Sequence, residues 1–381
     1  KAAAELIAQA KFPVLISGGG VVMGEAWHEC IALAERLGCP VVNSYQHNDS
    51  FPASHPQWCG PLGYQGSKAA MKLISQADVV IALGSRMGPF GTLPQHGLGY
   101  WPKDAKIIQI DRDYTQLGKN RATDLALAGH SGLVLQQITD AVGQKAQALR
   151  DRLSGWRSEL RDDETKQYQR LVPYMQSTTQ PINHYQLAAA LGQALGAGPL
   201  GTGRLADNSL IIGDGGDVVA MATKVLPLGG PGQWLDPGPL GCLGVGAPFA
   251  LAAKALDPNH QKRVVVLSGD GSFGLNGFDF ETCVRFGYKV TVVVGNDAAW
   301  GQIRGPQVMI FGAERAPATK LAPVRYDRVV EAFGGVGFHV EDPAQLVPVF
   351  RQALEHPQVA CVNVALDPEF VVASGAAKLT V

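Results

Sequence analysis

Two runs rich in β-branched residues, 264–267 (VVVL) and 290–294 (VTVVV), each end abruptly in small polar residues: Gly269-Asp270-Gly271 after the first and Asn296-Asp297 after the second. The 24 residues between Gly271 and Asn296 (272–295) leave room for one helix and the return strand. Phe278, Phe280, Cys283, Val284 and Phe286 supply that helix with an apolar face. Strand, helix and strand of this length predict a right-handed parallel crossover, because a hairpin would need only a short turn. Both polar turns then fall at the carboxyl edge of one parallel sheet, where open α/β folds receive ligands.

The residue types at that edge point to a divalent cation carrying a diphosphate. Mg²⁺ takes hard oxygen ligands in near-octahedral geometry and draws only one or two carboxylates from a protein, with phosphate and water completing the shell. Asp270, Asp297 and the backbone carbonyl of Ala299 form such a minimal set, and Asn296 brings a third oxygen-bearing side chain to the two strand ends. Gly269 and Gly271 let backbone N–H groups approach a phosphate with no Cβ in the way.

The rest of the chain alternates in the same manner. Expected strands at 13–17, 41–42, 78–83, 106–110 and 210–212 are separated by helical stretches such as 2–10 and 27–37, which predicts an α/β protein of two doubly wound parallel-sheet domains. Their expected bounds are 1–143 and 181–381, joined by a helical linker over 144–180 whose charges from Arg150 to Lys166 read as a solvated connector. At 381 residues the chain is long enough for two full cores. A net charge of −1 gives no electrostatic reason to expect nucleic acid or an anionic membrane. No apolar run is long enough to span a bilayer. The six scattered cysteines lack CxxC spacing, so buried thiols in a reducing, cytoplasmic setting are expected.

The GDG, 24-residue, Asn pattern matches the cofactor motif of thiamine-diphosphate enzymes, and the chain resembles their acetohydroxyacid synthase-like branch. Gly213-Asp-Gly-Gly-Asp217 and the stretch WLDPGPLGCLGVGA (234–247) add to the likeness. The second half most resembles acetolactate synthase-like 2-hydroxyacyl-CoA lyases, whereas residues 60–111 are similar to the central domain of sulfoacetaldehyde acetyltransferases. The resemblance implies that Gly215, Gly216, Asp217 and Val218 meet the diphosphate with Gly269, Asp270, Gly271, Ser272, Trp300 and Gly301. It also implies that Gly238 holds the pyrimidine amino group through its carbonyl, and that Leu240 is wedged beneath the bent cofactor. Asp270, Asp297 and Ala299 would bind Mg²⁺. Where the family usually has Asn-Asn, this chain has Asn296-Asp297, an extra carboxylate beside the metal.

By the same resemblance, the central domain would take FAD, as in acetolactate synthases, or ADP or the nucleotide end of CoA. Gly18-Gly19-Gly20, Gly84-Ser85-Arg86 and Asp111 are the candidate contacts. His47, His55, His96, His184 and His339 are isolated and read as satisfied or surface groups. The tail 367–381, with Ser374-Gly375 and an apolar end, either resembles one that helps cover the active site in CoA-acting relatives or is a plain disordered terminus. The family's pyrimidine-binding domain, which brings an activating glutamate, is expected to precede Lys1 or to be a separate polypeptide, and this chain alone to be inactive. The implied activity is a lyase, decarboxylase or carboligase acting on 2-keto acids or 2-hydroxyacyl-CoA in a dimer or tetramer. The alternatives are acyl transfer to phosphate of the sulfoacetaldehyde acetyltransferase kind, and a non-catalytic remnant that keeps the cofactor.

Overall fold

The computed structural model describes residues 1–370, apart from 46, 65, 95–96, 98, 154 and 199–202. His96 and the tail with Ser374 and Gly375 therefore lie outside the described residues. The chain divides into two compact units, 1–170 with 228–232, and 171–227 with 233–370. Among the described residues each contains one six-stranded sheet.

In the first unit the strands are β1 (Pro13–Ser17), β2 (Val41–Asn43), β3 (Trp58–Pro61), β4 (Val79–Leu83), β5 (Lys106–Asp111) and β6 (Leu125–Ala128). Their order is β3-β2-β1-β4-β5-β6, all parallel. Every residue of β1 and β4 is buried, as a parallel strand covered on both faces requires. The helix Trp27–Leu37 buries Cys30, Leu33, Ala34 and Leu37, one helical stripe, and ends at Gly38 with φ +70°.

The glycines at the switch point between β1 and β4 are consumed by backbone packing. Gly20 N–H donates to Gly84 O at 3.0 Å, and a Cβ on Gly18 would lie 2.5 Å from that same oxygen. A Cβ on Gly19 would meet the ring of His47 at 2.5 Å. His47 is half-buried, and its pKa is lowered by burial and by the Arg86 guanidinium. His55 faces Glu35 at 3.3 Å.

The charged stretch after residue 144 differs from the solvated connector expected. Helices Lys145–Arg152 and Trp156–Met175 carry a buried stripe, Ala146, Leu149, Leu153, Trp156 and Leu160, that joins the core of the first unit. The charges between these positions conceal it. Trp156 Nε1 adds a bond to Gly38 O at 3.1 Å.

The second unit contains β7 (Ser209–Asp214), β8 (Trp234–Leu235), β9 (Arg263–Gly269), β10 (Val290–Asn296), β11 (Val336–Val340) and β12 (Ala360–Ala365), in the order β11-β12-β10-β9-β7-β8. All pairs are parallel. The register sets Gly295 beside Gly269 and Asp214 beside Ser268, so the polar turns of three strands end at one level. Between β9 and β10 lie helices Asp270–Asn276 and Asp279–Arg285. Phe280 and Cys283 are buried against the sheet, while Phe278 and Phe286 are exposed.

Candidate cofactor site

At the carboxyl edge of the second sheet, β9 delivers Asp270 and β10 delivers Asp297. Asp270 is 1% exposed and begins the short helix after β9. Its Oδ1 accepts from Gly271 N–H at 2.8 Å and its Oδ2 from Ala299 N–H at 3.2 Å. The Ala299 N–H also donates to Asp297 Oδ1 at 3.2 Å, so one donor is shared by two carboxylates. That placement depends on Ala298, held in the left-handed region at φ +51°. The turn is fixed by Ala298 N–H donating to Asn296 Oδ1 at 3.2 Å and by Leu321 N–H donating to Ala298 O at 2.7 Å.

Asn296 departs from the expectation of a third oxygen at the site. Its amide donates to Val324 O at 2.8 Å and to Asn363 Oδ1 at 3.1 Å, and its own oxygen takes the Ala298 N–H. It organises the turn that presents Asp297.

Electrostatically the site is poised for a cation. Burial raises the Asp270 carboxyl to about 6. Asp297 is raised to about 7, first by burial, then by the charge of Asp270, with a further push from Asp217. Asp217 is itself raised by burial, and Lys224 opposes that rise. Burial lowers the Lys224 ammonium to about 8 against the pull of Asp217. Two hard carboxylates on adjacent strand ends, each destabilised as an anion, form a donor set that a divalent cation fits.

These residues enclose a cavity. Its walls include Gly216, Asp217 and Val218 from the start of the helix after β7, Gly269 to Ser272 from the end of β9 and the start of the helix that follows it, and Asp297, Ala299, Trp300 and Gly301 after β10. Gly215 is not among these lining residues; at φ +68°, a Cβ there would collide with Leu243 and lie 2.9 Å from Ser272 Oγ. Glycine is demanded at 271, where a Cβ would lie 2.5 Å from the Trp300 ring.

Gly238 and Leu240 stand outside these walls. Gly238, at φ +66°, donates to Asp236 Oδ1 at 2.8 Å, and its carbonyl accepts from Gly241 N–H at 3.1 Å. Leu240 is 86% exposed, so it packs no core. The segment is tied back to the sheet by buried Asp214, whose two oxygens accept from Gly244 N–H at 2.8 Å and Gly246 N–H at 3.0 Å.

Leu243, Gln302, Ile303 and His184 also line the cavity, none of them expected from the sequence. His184 is neither a surface residue nor satisfied: it is 3% exposed and its Nδ1 is buried without a hydrogen-bond partner among the described residues. His339, by contrast, is engaged by Asn363 and Glu341.

Residues 1–138 match the family described as thiamine pyrophosphate enzyme, central domain, and residues 214–364 match thiamine pyrophosphate enzyme, C-terminal TPP binding domain. The chain belongs to the thiamine pyrophosphate enzymes. Among particular relatives, it is 38% identical to the sulfoacetaldehyde acetyltransferase of Castellaniella defragrans, over 93% of this chain and 60% of the relative. It is 36% identical to the sulfoacetaldehyde acetyltransferase of Alcaligenes xylosoxydans xylosoxydans over the same shares, and 32% identical to a probable acetolactate synthase of Mycobacterium bovis over 96% of this chain and 61% of that protein. The chain spans about 60% of the length of these relatives. No helix among the described residues is long and apolar enough to cross a membrane.

Proposed function

We propose that this chain holds thiamine diphosphate through Mg²⁺ and serves an enzyme that cleaves or forms C–C bonds next to a carbonyl, on 2-keto acids or 2-hydroxyacyl-CoA. The observation that carries the reading is the pair of buried Asp270 and half-buried Asp297 on adjacent strand ends, sharing the Ala299 N–H. When bound, the cofactor supplies an electron sink for the bond that breaks. Asp270, Asp297 and the Ala299 carbonyl would hold the cation. The Gly271 backbone and Ser272 hydroxyl would face the phosphates, with Trp300 and Leu243 keeping water out. Gly238 and the exposed Leu240 would meet the ring end of the cofactor together with a pyrimidine-binding domain, in cis or in trans, within a cytoplasmic oligomer.

A second reading, acetyl transfer from sulfoacetaldehyde to phosphate, is favoured by the sulfoacetaldehyde acetyltransferases that share up to 38% identity with the chain. A nucleotide in the central domain is not supported, and the Gly18–Gly20 turn expected to receive it is packed on Gly84 and His47. Calorimetry with thiamine diphosphate, with and without Mg²⁺, tests the shared core of both readings, and metal-independent binding would sink it. Assays with a pyrimidine-binding domain present then separate them: acetolactate from pyruvate marks the first, and acetyl phosphate from sulfoacetaldehyde the second. Tight binding with neither product would mark a non-catalytic remnant.

A further inference from the structure

We infer that Asn363, oriented by His339, is a positioning residue for the cation site. Acting through Asn296, it holds the turn that carries Asp297 and the Ala299 carbonyl, and so sets how much Mg²⁺ the cofactor needs. The inference rests on the cofactor reading above.

Three strands that are otherwise largely apolar each carry one polar side chain near the carboxyl end: Asn296 in β10 (VTVVVGN), His339 in β11 (VGFHV) and Asn363 in β12 (ACVNVA). The parallel register sets His339 beside Asn363, and Asn363 beside Val294, two residues before Asn296. Asn296 and Asn363 are both buried. An amide removed from water is costly unless it is hydrogen-bonded, and these side chains satisfy one another.

The bonds all run in one direction. Ala298 N–H donates to Asn296 Oδ1 at 3.2 Å, Asn296 Nδ2 to Asn363 Oδ1 at 3.1 Å, Asn363 Nδ2 to His339 Nδ1 at 3.1 Å, and His339 Nε2 to Glu341 Oε1 at 3.1 Å. The Glu341 carboxylate only accepts, so it selects the imidazole tautomer whose Nδ1 accepts in turn. That nitrogen fixes which end of the Asn363 amide faces Asn296. A proton on Nδ1 would bond Asn363 O at 3.2 Å instead, but it would set the Nε2 lone pair against Glu341 and an N–H against the Asn363 amide.

At its inner end the relay holds a turn that the backbone alone resists. Ala298 sits at φ +51°, a conformation that a residue with a Cβ keeps only where its surroundings over-determine it. With the Asn296 amide turned over, its Nδ2 would face the Ala298 N–H and the bond that closes the turn would be lost. Asp297 and Ala299 flank Ala298, so two of the three groups proposed to hold the cation depend on this turn, while Asp270 follows β9. Asn296, His339 and Asn363 are absent from the cavity walls and act only through the turn.

Calorimetry follows thiamine diphosphate binding at a series of Mg²⁺ concentrations and reads the concentration that gives half-maximal binding, on this chain and on Asn363→Leu and Asn363→Asp. Asn363→Leu should raise it roughly 10-fold, the scale of one buried hydrogen bond, with binding restored at saturating Mg²⁺. Asn363→Asp, which keeps an oxygen to accept from Asn296, should recover most of the loss. An unchanged Mg²⁺ requirement in Asn363→Leu overturns the inference. So does a rise that Asn363→Asp fails to reverse, which would mark lost packing. Should Asn363→Leu not fold, His339→Val in β11, at the edge of the sheet, decides. A rise of about 2- to 5-fold supports the inference, and no rise overturns it. A wild-type chain that binds no diphosphate at any Mg²⁺ concentration sinks the cofactor reading and this inference with it, a result distinct from binding whose Mg²⁺ requirement ignores Asn363.

Discussion

The two sheets of this protein end in glycine-rich turns of similar sequence but opposite use. At the switch point of the first sheet, Gly18, Gly20 and Gly84 are pressed together, and the space beside Gly19 is taken by His47. At the edge of the second, Gly216, Gly269 and Gly271 line a cavity with three carboxylates. Both places need residues without a Cβ, one to let backbone meet backbone, the other to leave room for a ligand. A glycine cluster after a strand therefore says where side chains are excluded, and only the neighbouring polar groups say why.

The largest test of this contrast is Asp270→Ala. It should weaken Mg²⁺-dependent binding of thiamine diphosphate by at least about 100-fold, near 3 kcal/mol, without lowering the melting temperature of the cofactor-free protein. Normal binding by calorimetry would remove the second sheet's claim to be the functional one. Gly84→Ala should do the reverse. With φ at +52° and its Cα against the Gly20 backbone, the added methyl should cost roughly 2 kcal/mol of stability and leave cofactor affinity per folded molecule unchanged. Lost affinity in a stable Gly84→Ala protein would assign the first sheet a ligand role.

A pH series sharpens the electrostatic side. Asp270 and Asp297 have folded-state pKa values raised to about 6 and about 7, so the unfolded chain gives up their protons more readily. Their protonated forms contribute stability that is full below pH 4 and lost as pH rises through 6 and 7. Cofactor-free protein should thus lose roughly 2 kcal/mol between pH 5 and 8 in denaturant titrations, and Asp297→Asn should flatten the slope. A wild-type slope of the opposite sign would show that these acids are already compensated. The smallest effect expected is on the stability of Leu240→Ala. An 86% exposed side chain should change it by less than about 0.5 kcal/mol while turnover with a pyrimidine-binding domain supplied falls, and a drop of several degrees in melting temperature would give Leu240 a packing role instead.

Much of the second sheet was legible because its signals are local. The β-branched runs, the GDG turn and the spacing to Asn296 lie within one crossover, and parallel pairing brings their ends together. What escaped depended on contacts between distant segments. His184 reaches the cavity only through the bridge of Ile182 to Leu366, a pairing that no periodicity announces. Asn296 reads by residue type as a third oxygen-bearing side chain at the strand ends, yet its amide is spent on Val324 and Asn363. The stripe Ala146, Leu149, Leu153, Trp156 and Leu160 was hidden because charges occupy the positions between.

The Ala299 N–H, divided between Asp270 and Asp297 at 3.2 Å each, has a consequence for ion choice. One weak dipole keeps two anions at a set spacing, yet it falls well short of cancelling their repulsion. The spacing is therefore decided by the fold, and the charge is left for the ion to settle. A pocket built this way ranks cations by charge before it ranks them by radius. Mn²⁺ and Ca²⁺ become natural competitors of Mg²⁺, and discrimination among them falls to the oxygens that the ligand itself contributes.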